Sequence, residues 1–236
     1  MQRVKFTDLG IIDYKSAWDY QESLLQQNVL IKSEARKSNP NCPPSEVSTQ
    51  HHLLFCEHHP VYTLGKSGSM DNVLLGEAEM EERGIHFYKT NRGGDITFHG
   101  PQQIVGYPIL DLEKFKTDIG LYLRNLEEVI ILTIAEYGVE GKRSAGETGV
   151  WINPGVKGQE RKICAIGVRC SRWITMHGFA LNVNTDLDYF SHIIPCGIQD
   201  KQVTSLEKEF GAPVPLEAVK EKIRKHFQEV FQVLLD

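Results

Sequence analysis

Between residues 149 and 184 the chain passes through three apolar stretches of strand length, at 149–152, 162–168 and 172–184, with turn formers between them. The triplet Asn153-Pro154-Gly155 and the polar run up to Glu160 turn the first stretch back toward the second. Strands joined this way lie side by side, so this part of the chain predicts a sheet with antiparallel neighbours. Further short strands are predicted at 52–57, 61–64, 85–89 and 103–110, ending at glycines, prolines and polar residues. Apolar residues recur at helical spacing over 13–36, after an Asp118 cap up to Gly138, and over 216–234. A short charged helix at 76–83 and another starting at Thr204, Ser205 and Leu206 complete the pattern. Strands outnumber long helices. The fold class is therefore α+β, a mixed and mostly antiparallel sheet flanked by helices.

The 236 residues, 41% of them hydrophobic, suffice for one core, and no repeat or linker divides 1–236 into two domains. A net charge of -5 with scattered lysines and arginines gives no polyanion surface, so nucleic acid is not an expected partner. Five cysteines, no signal peptide and no apolar run of membrane-spanning length predict a reducing cytoplasm and no membrane partner. Cys42, Cys56, His58 and His59 lack the paired spacing of a zinc site, and no metal is expected. The three-proline stretch 38–50 reads as a loop or partly disordered insert, and His58 and His59 as positional or pocket-rim residues at a strand end.

Chemistry concentrates near Cys196. Set between Pro195 and Gly197, it falls where the chain turns and little bulk covers the sulfur. A free thiol titrates near ~8.5, so a nucleophilic cysteine needs a cation close by. Lys162 opens the apolar run at 163–168, where a solvated surface charge is out of place. An ammonium within a few ångströms of the sulfur would favour the thiolate, and the two would titrate as a pair. A buried, inert cysteine is the alternative. Arg92, Gly93 and Gly94 suit either directed hydrogen bonding at a ligand or an ordinary hairpin turn, and His99 either an oxyanion contact or a structural role. His177-Gly178 inside a strand marks close approach of a ligand chain or of another backbone.

Four motifs occur in order: R-G-G-D-I-T-F-H-G-P-Q-Q-I-V-G-Y-P at 92–108, K-I-C-A-I-G from Lys162, T-M-H-G-F-A-L-N-V at 175–183 and P-C-G at 195–197, with the lysine 34 positions before the cysteine. Together they resemble the lipoyl(octanoyl) transferase family over roughly residues 50–205. The resemblance implies a biotin and lipoate protein ligase type of architecture and a catalytic cysteine–lysine dyad, Cys196 and Lys162. Cys196 would take an octanoyl group from acyl carrier protein as a thioester and pass it to a lysine of a lipoyl domain. Such domains occur in the E2 subunits of 2-oxoacid dehydrogenases and in the glycine cleavage H protein. By the same carry-over the substrate pocket uses Arg92, Gly93, Gly94, Asp95, Ile96, Thr97, Phe98, His99, Ala165, Ile166, Gly167, Gly178, Phe179 and Ala180. Backbone N–H groups near Gly197 or in the Gly93–Gly94 loop would meet the oxyanion.

No cofactor or nucleotide is implied. Arg143, Lys157, Arg161, Arg169 and Arg172 are candidates for docking an acidic carrier protein. Gln102 stands where the family commonly has glycine, which puts the local turn in question. Three rivals remain: an ATP-dependent lipoate or biotin protein ligase, a hydrolase pairing Cys196 with His99 or His177, and a noncatalytic module that binds acyl carrier or lipoyl domains.

Overall fold

In a computed structural model that describes residues 1–194 and 202–236, strand β1 (Gln2–Ile12) leads into helix α1 (Tyr14–Ser38), then β2 (His51–His58) and β3 (Val61–Leu64). After α2 (Glu77–Glu82) come β4 (His86–Lys89), β5 (Ile96–His99), β6 (Gln103–Ile109) and α3 (Ile119–Ala135). Next are β7 (Lys142–Ser144), β8 (Glu147–Ile152), β9 (Arg161–Ser171), β10 (Ile174–Asn182) and β11 (Gln202–Val203). The chain closes with α4 (Leu206–Phe210), α5 (Leu216–Phe231) and β12 (Val233–Leu235).

The large sheet runs β12-β1-β2-β6-β10-β9-β8-β7, with β11 also on β9. From β2 to β7 every neighbouring pair is antiparallel, whereas β1 is parallel to β2 and β12, and β11 to β9. A small sheet places β3 between a parallel β4 and an antiparallel β5. The mixed, mostly antiparallel α+β class predicted from sequence is what forms.

Strand alternation sorts the core onto two faces. On β2, Leu53 and Phe55 join the cluster packed by α3 and α5, while Leu54 and Cys56 join the one packed by α1. Asp13 caps α1, its carboxylate accepting from Ser16 N–H at 3.1 Å. The buried stripe of that helix also holds Lys32, whose ammonium is 2.7 Å from Asp111, 3.0 Å from Glu113 and 2.8 Å from the Arg172 carbonyl. A third cluster, including Tyr62, Phe98, Phe190 and Ile193, backs the small sheet.

Several local expectations are corrected. The third strand of the 149–184 run begins at Ile174, because Arg172 (φ 50°) and Trp173 (φ 67°) form a two-residue hairpin turn from β9 to β10. Their carbonyls accept from Lys32 and from Leu112 N–H, which holds the left-handed pair in place. Of the two readings of 38–50 the loop is what forms after Ser38, tied to the body of the fold: Pro44–Glu46 is a short 3-10 turn, Thr49 donates to Asp111 at 2.9 Å, and Asn28 and Gln50 exchange hydrogen bonds. The last helix stops at Phe231. Gln232 (φ 53°) reverses the chain so that Val233 and Leu234 pair with β1. Gln102 takes φ 64° despite its side chain, held by Val183 and Asn184 N–H groups and the Thr185 hydroxyl on its carbonyl.

Candidate active site

A cavity of about 550 Å³ opens where β9 and β10 meet β5, β6 and the 92–95 loop. Lys162, Ala165, Ile166 and Gly167 line it from β9, and Gly178, Phe179 and Ala180 from β10. Arg92, Gly93, Gly94, Asp95, Ile96, Thr97 and His99 line the opposite wall. Phe98 is the exception. Its ring packs into the third cluster, stacked on Tyr189 at 4.5 Å. The walls also include Tyr14, Gln103, Val105, Tyr107, His177, Asn182, Phe190 and Val203. Of these, Tyr14 reads in the sequence only as part of a helix stripe. Two-residue alternation signals four of the others, since Gly178, Ala180 and Asn182 share a face, as do Gln103, Val105 and Tyr107, whereas His177, Phe190 and Val203 follow no such period.

The glycines bring main chains together. Gly167 and Gly178 are direct partners across β9 and β10. A Cβ on Gly178 would sit 2.1 Å from the Gly106 carbonyl oxygen, and one on Gly167 2.8 Å from that of Gly93. Of the two sequence readings of Gly178, the approach is thus that of another backbone. The Gly93 N–H already donates to the Val168 carbonyl at 2.9 Å, so this group is committed to β9 and is not an oxyanion donor. His177 holds a left-handed conformation (φ 57°); its N–H donates to Gln21, and its ring meets Asn91 at 2.8 Å.

Arg92 braces its own loop. Its guanidinium donates to the Gly93 carbonyl at 3.0 Å and to both the carbonyl and the hydroxyl of Thr63. His99 meets Gln103 at 2.8 Å through Nδ1 and Thr63 at 3.3 Å through Nε2. Below it, His58 meets the Ile12 carbonyl at 2.8 Å and Tyr107 at 2.7 Å, while Tyr14 stacks on His99. Burial without a carboxylate partner drives these imidazoles toward neutrality. His99 falls well below the usual histidine range, His58 to about 4 and His177 to about 3, burial being the largest cause in each. His58 is thus a positional residue, with both ring nitrogens occupied, and His59 is exposed.

Lys162 pairs across the sheet with Trp151, its ammonium 4.5 Å from the centre of that ring. No cysteine among the described residues lines the cavity. Cys56 and Cys164 are fully buried, and burial pushes both thiols up and away from reactivity. Cys196 lies outside the described residues. The flanks of its segment are anchored: Ile194 N–H donates to the Asn72 carbonyl at 2.9 Å, and Gln202 and Val203 pair with Arg161 and Lys162.

Residues 13–228 match the lipoyl protein ligase A/B catalytic domain. The chain is 56% identical to the octanoyltransferase of Christiangramia forsetii, covering 99% of this chain and 98% of that one. It is 58% identical to the octanoyltransferase of Flavobacterium johnsoniae, covering 98% and 97%. Among solved structures it is similar to a bipartite lipoate protein ligase of Thermoplasma acidophilum, with a TM-score of 0.70 at 16% identity over 100% of this chain and 86% of that one. Lipoate-protein ligase A bound with ATP gives 0.69 at 14% identity, over 100% and 87%. At such identities the likeness is one of fold. With the glycine-lined cavity and residues of the first three motifs lining it, the matches over nearly the whole chain lead to one conclusion: the chain belongs to the lipoyl protein ligase A/B catalytic domain family, alongside the octanoyltransferases.

Proposed function

We propose that this protein is an octanoyltransferase of protein lipoylation, its single catalytic domain spanning residues 1–236. It moves an octanoyl or lipoyl group from acyl carrier protein to a lysine of lipoyl domains, among them those of 2-oxoacid dehydrogenase E2 subunits and the glycine cleavage H protein. The observation that carries this reading is the cavity: largely apolar walls with Lys162 in the lining, in a chain 56% and 58% identical to octanoyltransferases. Its volume of about 550 Å³ falls in the range of small-ligand sites, and Val105, Ile166, Val168 and Phe179 offer an acyl tail apolar contacts.

In the first transfer the Cys196 thiolate attacks the octanoyl thioester carbonyl, and the carrier's thiolate leaves and takes up a proton from Lys162. In the second, a neutral lysine amine of the lipoyl domain attacks the acyl-enzyme, Cys196 leaves as thiolate, and Lys162 takes the amine's proton. Thioester exchange is nearly balanced and amide formation is downhill, so neither step calls for a nucleotide. The P-C-G motif at 195–197, in a chain 56% and 58% identical to octanoyltransferases, supports Cys196 as the nucleophile. A free thiol at the centre of the reaction suits the reducing cytoplasm.

The test is octanoyl transfer from octanoyl-acyl carrier protein to a purified lipoyl domain without ATP, read as the mass of the lipoyl domain. Product without ATP is the expected result. Product only from free octanoate plus ATP would make the protein a ligase.

A further inference from the structure

A run of buried polar groups around the cavity hydrogen-bonds in one forced direction. The Thr204 carbonyl can only accept, so the Asn182 atom 3.0 Å away is Nδ2. Asn182 Oδ1 is then the acceptor for Gln103 Nε2 at 2.9 Å, and the same nitrogen donates to the Phe98 carbonyl at 3.1 Å. Gln103 Oε1 is thereby an acceptor, so its 2.8 Å contact with His99 requires the proton on Nδ1. The lone pair on Nε2 receives the Thr63 hydroxyl at 3.3 Å, and that oxygen accepts from Arg92 at 2.9 Å. At the other end, Thr204 N–H donates to the Lys162 carbonyl at 2.9 Å. Gln103 and Asn182 are 1% and 4% exposed, so losing a partner leaves a buried polar group unsatisfied. Reversing any side-chain member sets donor against donor or acceptor against acceptor.

We propose that Gln103 and Asn182 are positioning residues for acyl transfer. As a polarised amide pair they fix His99 in its neutral Nδ1–H form and tie the Arg92 wall of the cavity to the strand that carries Lys162. The proposal rests on the acyl-transfer reading and adds residues that need not touch the reacting carbonyl. His99 is faced by the His58 and Tyr14 rings, each centred 5.8 Å away, with Arg92 and His177 also near. None of these is an anion at neutral pH, so the amide pair is the polar partner that chooses the tautomer.

Two measurements test it. Nitrogen NMR of the wild-type imidazoles near neutral pH is expected to show His99 with a protonated Nδ1 and a bare Nε2; an Nε2–H form or an imidazolium would overturn the proposal without any variant having to fold. In the second, octanoylation of the enzyme by octanoyl-acyl carrier protein is timed in Gln103→Glu and Asn182→Leu. The carboxylate introduced by Gln103→Glu cannot donate to Asn182 or Phe98 and draws a second proton onto His99. The expected result is an imidazolium signal in Gln103→Glu and single-turnover rates at saturating carrier roughly tenfold or more below wild type in both variants, with half-saturation changed far less. Rates within about twofold of wild type, in variants that melt cooperatively, would overturn the pair while leaving acyl transfer standing. Absence of any octanoyl adduct on the wild type, with the His99 signal as expected, would sink the acyl-transfer reading and this role with it.

Discussion

Lys162 holds its ammonium 4.5 Å from the centre of the Trp151 ring, its direct partner on the neighbouring strand. A cation over an aromatic face gains about 0.5–2 kcal/mol, the larger figure when water is excluded, and Trp151 is only 3% exposed. The contact orients the ammonium at the cavity. Trp151→Leu is expected to slow enzyme octanoylation by up to about tenfold, and Trp151→Phe to recover most of the rate. Equal rates in the two variants, measured by rapid quench, would show that the ring face does not matter.

Lys32 and Asp111 form an ion pair in which each side chain is 1% exposed. Removing one partner of such a pair leaves the other charge buried, at a cost of about 3–5 kcal/mol. Lys32→Met should therefore lower the urea midpoint strongly. Adding Asp111→Asn to it should restore part of the loss, because the buried charge is gone. A double variant less stable than Lys32→Met alone would contradict this.

Gly178 and Gly106 are predicted to differ as sites for alanine. A Cβ at Gly178 would lie 2.1 Å from a backbone oxygen, whereas one at Gly106 would lie 2.1 Å from the Phe179 ring, a side chain that can shift without moving the main chain of a neighbouring strand. Overpacking typically costs about 1–3 kcal/mol, so Gly178→Ala should sit at or above that range and Gly106→Ala within it. Thermal melts of the two variants decide the order.

Acid should unfold this protein through its buried histidines. His51 and His58 titrate near about 4 and His177 near about 3 in the fold, against an ordinary 6.5. Between those values the unfolded chain binds the extra protons, so their contribution is intact above about pH 6.5 and is lost as pH falls toward 3 to 4. Each adds a slope of about 1.4 kcal/mol per pH unit within that window. Urea midpoints taken from neutral pH downward should fall steadily, and a flat profile to about pH 4.5 would rule this out.

Much of the site could be read from the chain because glycine spacing and strand alternation are local. Glycines at 93, 94, 167 and 178 announce close approach, and the two-residue period puts Ala180 and Asn182 on the face of Gly178. Long-range geometry was not readable. β1 carries Thr7, Asp8 and Gly10, and only its pairing with β2 and β12 makes it a strand. Lys32 looks like a solvated end of its helix until the Arg172–Trp173 hairpin delivers a carbonyl to it. Gln102 shows how context overrides local preference: three donors on its carbonyl and a carboxylate from Glu57 on its N–H hold a left-handed residue without glycine.

The most direct measurement is the intact mass of the protein after mixing with octanoyl-acyl carrier protein in the absence of ATP. A single octanoyl adduct that maps to Cys196, disappears in Cys196→Ser and forms more slowly in Lys162→Ala is the predicted result. An unmodified wild-type protein, or an adduct that persists in Cys196→Ser, would contradict the thioester mechanism.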